Sequence, residues 1–414
     1  MLNKENKFIL KQLFFLLKNS FIGSLASYIL SIYLANNLGP KLFGEYSYML
    51  LIGMITSTIV AFSTDKTAVI LRHKYSASEV FYKVFSVRLF LFGFILMLLL
   101  LLALFTEKYV FYFGIFVITF ISLNLSFLYE INVNNIKYSY IYIIERLVYV
   151  AIVFIVIYLD YLDLLNIFLV LFLASAVSLA YQLFENRAYV KKFMFVKIQV
   201  IIHILKDNLS LTIITFSTFA YGGFSRIILE SKLGFYDLGI YSAGWQIVMA
   251  ITIYQSQIDR IWRIKFAQTL IDNNYQGFVS NLRTFFVFTF PPIIVLSAIL
   301  FIFKVELINF VFKNEYAEIV ELIPLYSIYF IVISFNALSI MLWISIGNKK
   351  QYLKINIVSS LVLITVLLLS PKEIGILGFT VIVVFIHLLS VIYLLGRFYV
   401  SYILPMKLGG KKNE

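Results

Sequence analysis

The residues of this chain that could do chemistry are charges set inside long apolar runs. Lys18 stands in Phe14-Phe15-Leu16-Leu17-Lys18-Asn19-Ser20-Phe21, and Arg226 lies near the end of an apolar run over 207–229. A charge at the centre of a bilayer costs about 2.5–3.5 kcal/mol on insertion scales, so an intramembrane charge is a functional candidate by default. Lys18 offers a point charge to an anion and lacks the bidentate fork of arginine. Its long stem also lets it snorkel to the head groups from that depth. Arg226 precedes an outer loop, against the usual placement of cations. It can face an anion or pair with Glu230 one turn on.

A second pattern runs along the helix expected over 238–258 and beyond. Thr252, Gln255, Asp259 and Arg263 step by three or four residues, which sets them on one face, with Gln257 and Arg260 beside them. This stripe can receive an anionic group at a membrane exit; alternatively it holds only an Asp259–Arg263 pair. Asp65 and Lys66 end the second apolar run. Asp65 can titrate with a coupling ion or simply cap a helix. Thr215, Thr218 and Gly222 share a face with Arg226 and equally serve close helix packing. Glu145-Arg146, Asn336, Trp343 and Asn356 are lesser candidates. His387 lies in an apolar run and reads as a packing histidine rather than a proton carrier. The sequence holds no metal-ligand spacing, phosphate-binding glycine loop or nucleophile constellation. An ATP-driven pump is therefore not expected of this chain alone, and no cofactor is expected beyond coupling H+ or Na+.

These residues need helices to position them, and composition supplies them. Of 414 residues 62% are hydrophobic and 13% charged, with mean hydropathy +0.94. A hydrocarbon core of about 30 Å needs roughly 20 apolar residues per helix. Such runs occupy 12–36, 45–64, 86–106, 109–131, 141–159, 163–185, 207–229, 238–258, 283–303, 322–346, 353–370 and 374–397. The chain reads as an all-α polytopic membrane protein of about twelve transmembrane helices, its first run a retained helix rather than a cleaved signal. Segments sharing a side with the termini carry 26 of the 34 basic residues. That asymmetry places both termini in the cytoplasm, and it explains the net charge of +13 without nucleic acid. The absence of cysteine excludes disulfides and thiolate chemistry. The segments 65–85, 186–206 and 259–282 mix basic and aromatic residues, as helices lying on a membrane surface do.

The chain also repeats. Leu34, Leu38, Gly39, Gly44, Tyr46 and Ser47 recur as Leu229, Leu233, Gly234, Gly239, Tyr241 and Ser242, all 195 positions later. Each copy lies between the first two apolar runs of a half. Two six-helix lobes follow, 1–186 and 207–414, joined by a cytoplasmic connector over 187–206. Because six is even, the repeats run parallel.

Leu38-Gly39-Pro40-Lys41-Leu42-Phe43-Gly44-Glu45-Tyr46-Ser47, the step Asp65-Lys66-Thr67-Ala68-Val69, and Leu238-Gly239-Ile240-Tyr241-Ser242-Ala243 resemble the Wzx-type polysaccharide flippases. These belong to the multidrug/oligosaccharidyl-lipid/polysaccharide (MOP) exporter superfamily. The resemblance implies two lobes around a central cavity, as in multidrug exporters of that superfamily, and alternating access coupled to an ion gradient. It implies a substrate too: undecaprenyl-pyrophosphate-linked oligosaccharide repeat units of O-antigen or capsule, moved to the periplasmic leaflet of the inner membrane. Polymerase and chain-length proteins of the same pathway are the implied partners beside the bilayer. A head group of this kind needs cations for its phosphates and polar groups for its sugars. Lys18, Arg226, Gln255, Asp259, Arg260 and Arg263 are the expected contacts, with Asp65 and Asp259 the candidates for ion coupling. Two other readings are weighed against this one. A multidrug exporter of the same superfamily favours acidic cavity residues, whereas Lys18 and Arg226 are basic. A polysaccharide polymerase or glycosyltransferase needs a sizeable outer loop, whereas the outer loops here are short.

Overall fold

The computed structural model describes the backbone of residues 4–132, 134–346 and 349–408. Side chains are described from Phe21 onward, save those of 135, 214, 218, 220, 250, 251, 253, 254, 256–261, 263, 264, 349 and 350. Among the described residues every regular element is helical.

The first half opens with α1 (Lys4–Ala61), one continuous stretch across both of the first two expected spans. The polar turn expected between them shrinks to one residue. Gly39 takes φ 71° and ψ 168°, a conformation that glycine reaches without a Cβ penalty. Pro40 then starts the next helix, where its missing N–H leaves no bond unmade. α2 (Thr64–Arg72) follows two residues at positive φ, Phe62 and Ser63. α3 (Ala77–Thr106) begins at a capping box formed by Ser76 and Glu79, nine residues before the span expected from hydropathy. Then come α4 (Tyr109–Ile121), α5 (Ser126–Ile131), α6 (Asn135–Tyr158), α7 (Leu164–Glu185) and the short α8 (Arg187–Val190).

The second half begins with α9 (Ile198–Phe219), continued by a π-turn over Ala220–Phe224 into α10 (Ser225–Leu233). Gly234 breaks the chain at φ 94° and ψ −178°, close to the conformation of Gly39, its counterpart in the repeat. α11 (Phe235–Ile271), α12 (Tyr275–Ile302), α13 (Lys304–Val311), α14 (Ile319–Ser345), α15 (Lys349–Leu369), α16 (Gly375–Phe398) and α17 (Leu404–Lys407) complete the order. Ten described helical stretches are long and apolar enough to cross a membrane, and one of these, Phe21–Arg72, holds two expected spans. The more polar α11 fills the remaining one. The all-α polytopic fold expected from hydropathy is therefore the fold observed.

The surface helices are corrected in part, since 65–72 and 187–190 do lie in the separate short helices α2 and α8. Residues 77–85 are the start of α3, 198–206 the start of α9, and 259–271 the end of α11. Helices overrun the apolar window because backbone bonding continues into the head-group region, where polar side chains carry it on.

Two compact units emerge. The first runs to Leu38 and from Glu45 to Phe216; the second takes Gly39–Gly44 and Ser217–Glu414. The boundary by compactness therefore falls within α9 rather than over 187–206. The connector packs in the first unit: Val87, Ile201 and Ile204 form a small buried cluster, and the Val196 N–H donates to Ser86 Oγ at 3.3 Å. Also within the first unit, Gly114 lets α4 approach Met49 and Phe168, and Gly53 lets α1 approach Ile118. Small residues at crossings are how helices pack where lipid supplies no hydrophobic drive. In the second unit α11 packs on α14, and α14 on α12 and α16. Trp262, Phe266, Phe285, Trp343 and Phe398 make its aromatic core.

Candidate transport-site residues

Arg226 sits on α10, seven residues from its end. Its Nε donates to the carbonyl of Gly222, one turn back in the π-turn. Among the described residues it makes no pair with Glu230 or any other carboxylate. Its neighbours are instead the buried phenols Tyr241 and Tyr326, and the Tyr326 hydroxyl donates to the Tyr241 carbonyl at 3.4 Å. A guanidinium held against neutral phenols keeps its charge available to an anion.

The first unit carries a comparable cation that hydropathy had placed at the membrane edge. α6 begins at Asn135, so Arg146 lies about three turns in. It stacks over the Tyr142 ring with 5.3 Å to the centroid, beside Tyr46 and Tyr149. Among the described residues its Nε has no hydrogen-bond partner. The adjacent Glu145 carboxylate accepts from Ser175 Oγ at 3.2 Å and lies close enough for its charge to act on the guanidinium. Tyr46 belongs to the first copy of the repeat motif, so the motif supplies part of the wall around this arginine.

Asp65 is engaged elsewhere. Its Oδ1 lies 2.5 Å from Arg88 Nη2 and accepts from Ser126 Oγ at 3.3 Å. Arg88 is 1% exposed and also donates to Thr64 Oγ1 at 3.0 Å and to the carbonyls of Ser122 and Asn124 at 3.1 and 2.8 Å. The pair thus ties α2, α3 and the α4–α5 junction together, just after the positive-φ residues Phe62 and Ser63. In the sequence Arg88 stands at the edge of the apolar run over 86–106; the Ser76–Glu79 capping box marks the earlier helix start.

In α11 the described part of the polar stripe is Thr252 and Gln255. The Thr252 hydroxyl donates back to the Met249 carbonyl at 2.7 Å. Gln255 is 3% exposed, and neither its Nε2 nor its Oε1 has a partner among the described residues. The side chains of Lys18, Asp259, Arg260 and Arg263 lie outside the described residues. The backbone of Lys18 falls about four turns into α1, because the helix begins eight residues before the expected run at 12.

Of the lesser candidates, Trp343 donates from Nε1 to the Leu394 carbonyl at 3.2 Å. Asn356 Nδ2 has no partner among the described residues. The His387 Nδ1 lies 2.8 Å from the Tyr329 hydroxyl, and its ring stacks on Tyr221 at 4.2 Å. A partnered, stacked ring of this kind fits the packing role expected for it. Among the described residues no cluster of three or more His, Cys, Asp or Glu could hold a metal ion.

The family profile described as polysaccharide biosynthesis protein matches residues 9–258, more than half the chain. The chain belongs to the polysaccharide biosynthesis protein family. No curated protein matches it. Solved structures do match this family member over nearly its whole length. An inward-facing multidrug-resistance MATE family transporter of the MOP superfamily aligns with TM-score 0.75 at 13% identity, over 94% of this chain and 96% of that one. The lipid II flippase MurJ, in an inward closed conformation, aligns with TM-score 0.68 at 14% identity, over 94% and 91%. A MOP superfamily transporter from Pyrococcus furiosus, for which the reversed polarity of its binding pocket suggests a different function, aligns with TM-score 0.55 at 12% identity, over 95% of each chain. The family member therefore has the MOP transporter fold, as its motifs implied.

Proposed function

We propose that this chain is a flippase that carries undecaprenyl-pyrophosphate-linked oligosaccharide repeat units from the cytoplasmic to the periplasmic leaflet by alternating access. The observation that carries the reading is Arg226, an intramembrane guanidinium free of any carboxylate among the described residues. Arg146 supports it from the first unit. The diphosphate of such a substrate would have to lose water on the way across, and a buried arginine replaces that hydration with charge-assisted hydrogen bonds. Family membership supports a polysaccharide precursor as cargo. The lipid II flippase among structures of the same fold supports a lipid-linked one.

In this reading both termini lie in the cytoplasm and the chain works in the bacterial inner membrane, as its charge asymmetry indicates. Gln255, with an unmatched buried amide, contacts sugar hydroxyls. Lys18, Arg260 and Arg263 supply further cations near the cytoplasmic mouth. Ion coupling rests on Asp259, because Asp65 is held by Arg88.

The test is to delete the protein and measure lipid-linked glycan in each leaflet together with surface polysaccharide. The expected result is accumulation of single repeat units in the cytoplasmic leaflet and loss of polysaccharide from the surface. Unchanged glycan with altered sensitivity to small organic cations would instead establish a multidrug exporter. Single units accumulating in the outer leaflet would place the block at polymerisation.

A further inference from the structure

The helix pair α15–α16 carries a groove of about 550 Å³ that the transport reading does not use. The two helices pack against each other and are joined by a short turn, so they run in opposite directions. Lys354, in the second turn of α15, and Arg397, in the last turn of α16, therefore lie at the same end of the pair, the end flanked by basic residues. Below them the walls are apolar. Val358 and Val362 continue the Lys354 face of α15 at four-residue steps, while Ile386 and Leu389 lie further along α16. Val358, Val362 and Leu389 are about half exposed at 54, 48 and 50%. They form an outward apolar surface, and among the described residues no carboxylate lines the groove.

The length of this surface is informative. From Lys354 to Val362 the helix rises about 12 Å, and from Arg397 to Ile386 about 16 Å. Half of a hydrocarbon core is about 15 Å. The groove thus runs the depth of a single leaflet, with two cations where the head groups of that leaflet lie. Neither cation forms an ion pair among the described residues.

The first half of the chain offers a comparison. A groove of about 440 Å³ lies between α6 and α7, the fifth and sixth spans of their half as α15 and α16 are of theirs. There the cation, Lys137, is paired with Glu185, and Glu145 lines the wall. Similar apolar grooves in the two halves therefore differ in charge, and only that of the second half is complementary to an anion.

We propose that the α15–α16 groove binds an anionic glycerophospholipid of the leaflet on the basic side. Its phosphate sits between Lys354 and Arg397, and one acyl chain follows Val358, Val362 and Leu389. Basic pockets between membrane helices are where anionic head groups are held, and here the acyl path is built into the same groove.

The experiment uses the full chain purified in detergent, with thermal unfolding followed during titration with phosphatidylglycerol or phosphatidylcholine. Phosphatidylglycerol is expected to raise Tm well above the shift given by phosphatidylcholine. Lys354→Gln with Arg397→Gln is expected to weaken the phosphatidylglycerol response by about thirty-fold, as loss of two surface cations implies. Lys137→Gln leaves it unchanged. An equal response to both lipids, or an undiminished response in the double variant, overturns the proposal. Should the double variant not fold, native mass spectrometry of the wild-type protein decides. Retention of phosphatidylglycerol over phosphatidylcholine sustains the site. Preferential retention of a polyprenyl phosphate over phosphatidylglycerol contradicts it.

Discussion

Gly44 and Gly239 each occupy space that the backbone of the other's segment leaves open. A methyl group on Gly44 would overlap the Phe235 carbonyl oxygen and lie 2.8 Å from its carbon; one on Gly239 would overlap the Pro40 carbonyl oxygen and lie 2.6 Å from its carbon. The arrangement is reciprocal. Gly239 stands 195 positions after Gly44, and Phe235 stands 195 after Pro40, so each glycine meets the counterpart of the other's partner. Two copies of one motif cross here, backbone against backbone, within the second unit.

Gly44→Ala and Gly239→Ala are therefore expected to destabilise the protein by at least the 1–3 kcal/mol typical of overpacking, because a carbonyl cannot rotate away as a side chain can. Gly93→Ala, which meets nothing within 4 Å, is expected to be neutral or slightly stabilising in its helix. Thermal unfolding of the three purified variants checks this. Equal Tm values across the set would show that the crossing tolerates a methyl.

Arg88→Met removes four hydrogen-bond donations from a buried guanidinium and leaves two main-chain carbonyls unpaired. Each buried acceptor left unsatisfied in this way costs about 1–3 kcal/mol, and the variant should fall sharply in Tm and in membrane abundance. Asp65→Asn should do less, since the carboxylate is 41% exposed and keeps contact with water. Its transport per folded molecule should be close to wild type. Full abundance with transport abolished would restore Asp65 as the coupling residue.

Much of the fold was legible because hydropathy reports burial in lipid directly, and all twelve expected spans fall on helical segments, although 109–131 breaks between α4 and α5 and 45–64 breaks at Phe62 and Ser63. The ends were not, since helix bonding outlasts apolarity by two or three turns. That overrun moved Arg88 and Arg146 from the edge of their runs to the interior of helices and turned parts of three expected surface segments into extensions of α3, α9 and α11. The repeat was visible as letters, but the reciprocal contact of Gly44 and Gly239 is a fact of three dimensions that spacing alone does not contain. The candidate cations were half legible. Arg226 stood out inside an apolar run, whereas Arg146 needed the true start of α6.

Gln255 gives a prediction in which stability and function move in opposite directions. A buried amide with neither atom partnered, as this one is among the described residues, costs about 1–3 kcal/mol, so Gln255→Leu is expected to raise Tm. If the amide serves a ligand, transport should fall at the same time. Lower Tm and unchanged transport would make Gln255 a structural residue.

The end of the second unit that carries Asp237 and Glu318 should respond to pH. Asp237, at the start of α11, is held above the ordinary carboxylate value of 3.8 by partial burial. Glu318, just before α14, is held above 4.5 by partial burial, then by the charges of Asp237 and Glu321. Both acids bind protons more readily folded than unfolded. Their contribution is therefore complete below those ordinary values and lost as pH rises through the raised folded ones. Tm measured from pH 4 to pH 7 should fall on this account, and Asp237→Asn with Glu318→Gln should flatten that part of the curve. An identical slope in the double variant would assign the pH response to other groups.

The central claim is that an intramembrane arginine holds an anionic head group during its passage. Its most direct test is Arg226→Gln, expressed at wild-type abundance in a deletion strain, with lipid-linked glycan quantified by leaflet. The expected result is repeat units retained in the cytoplasmic leaflet, with at least partial recovery in Arg226→Lys, which keeps the charge. Wild-type amounts in the outer leaflet of the Arg226→Gln strain would contradict the claim.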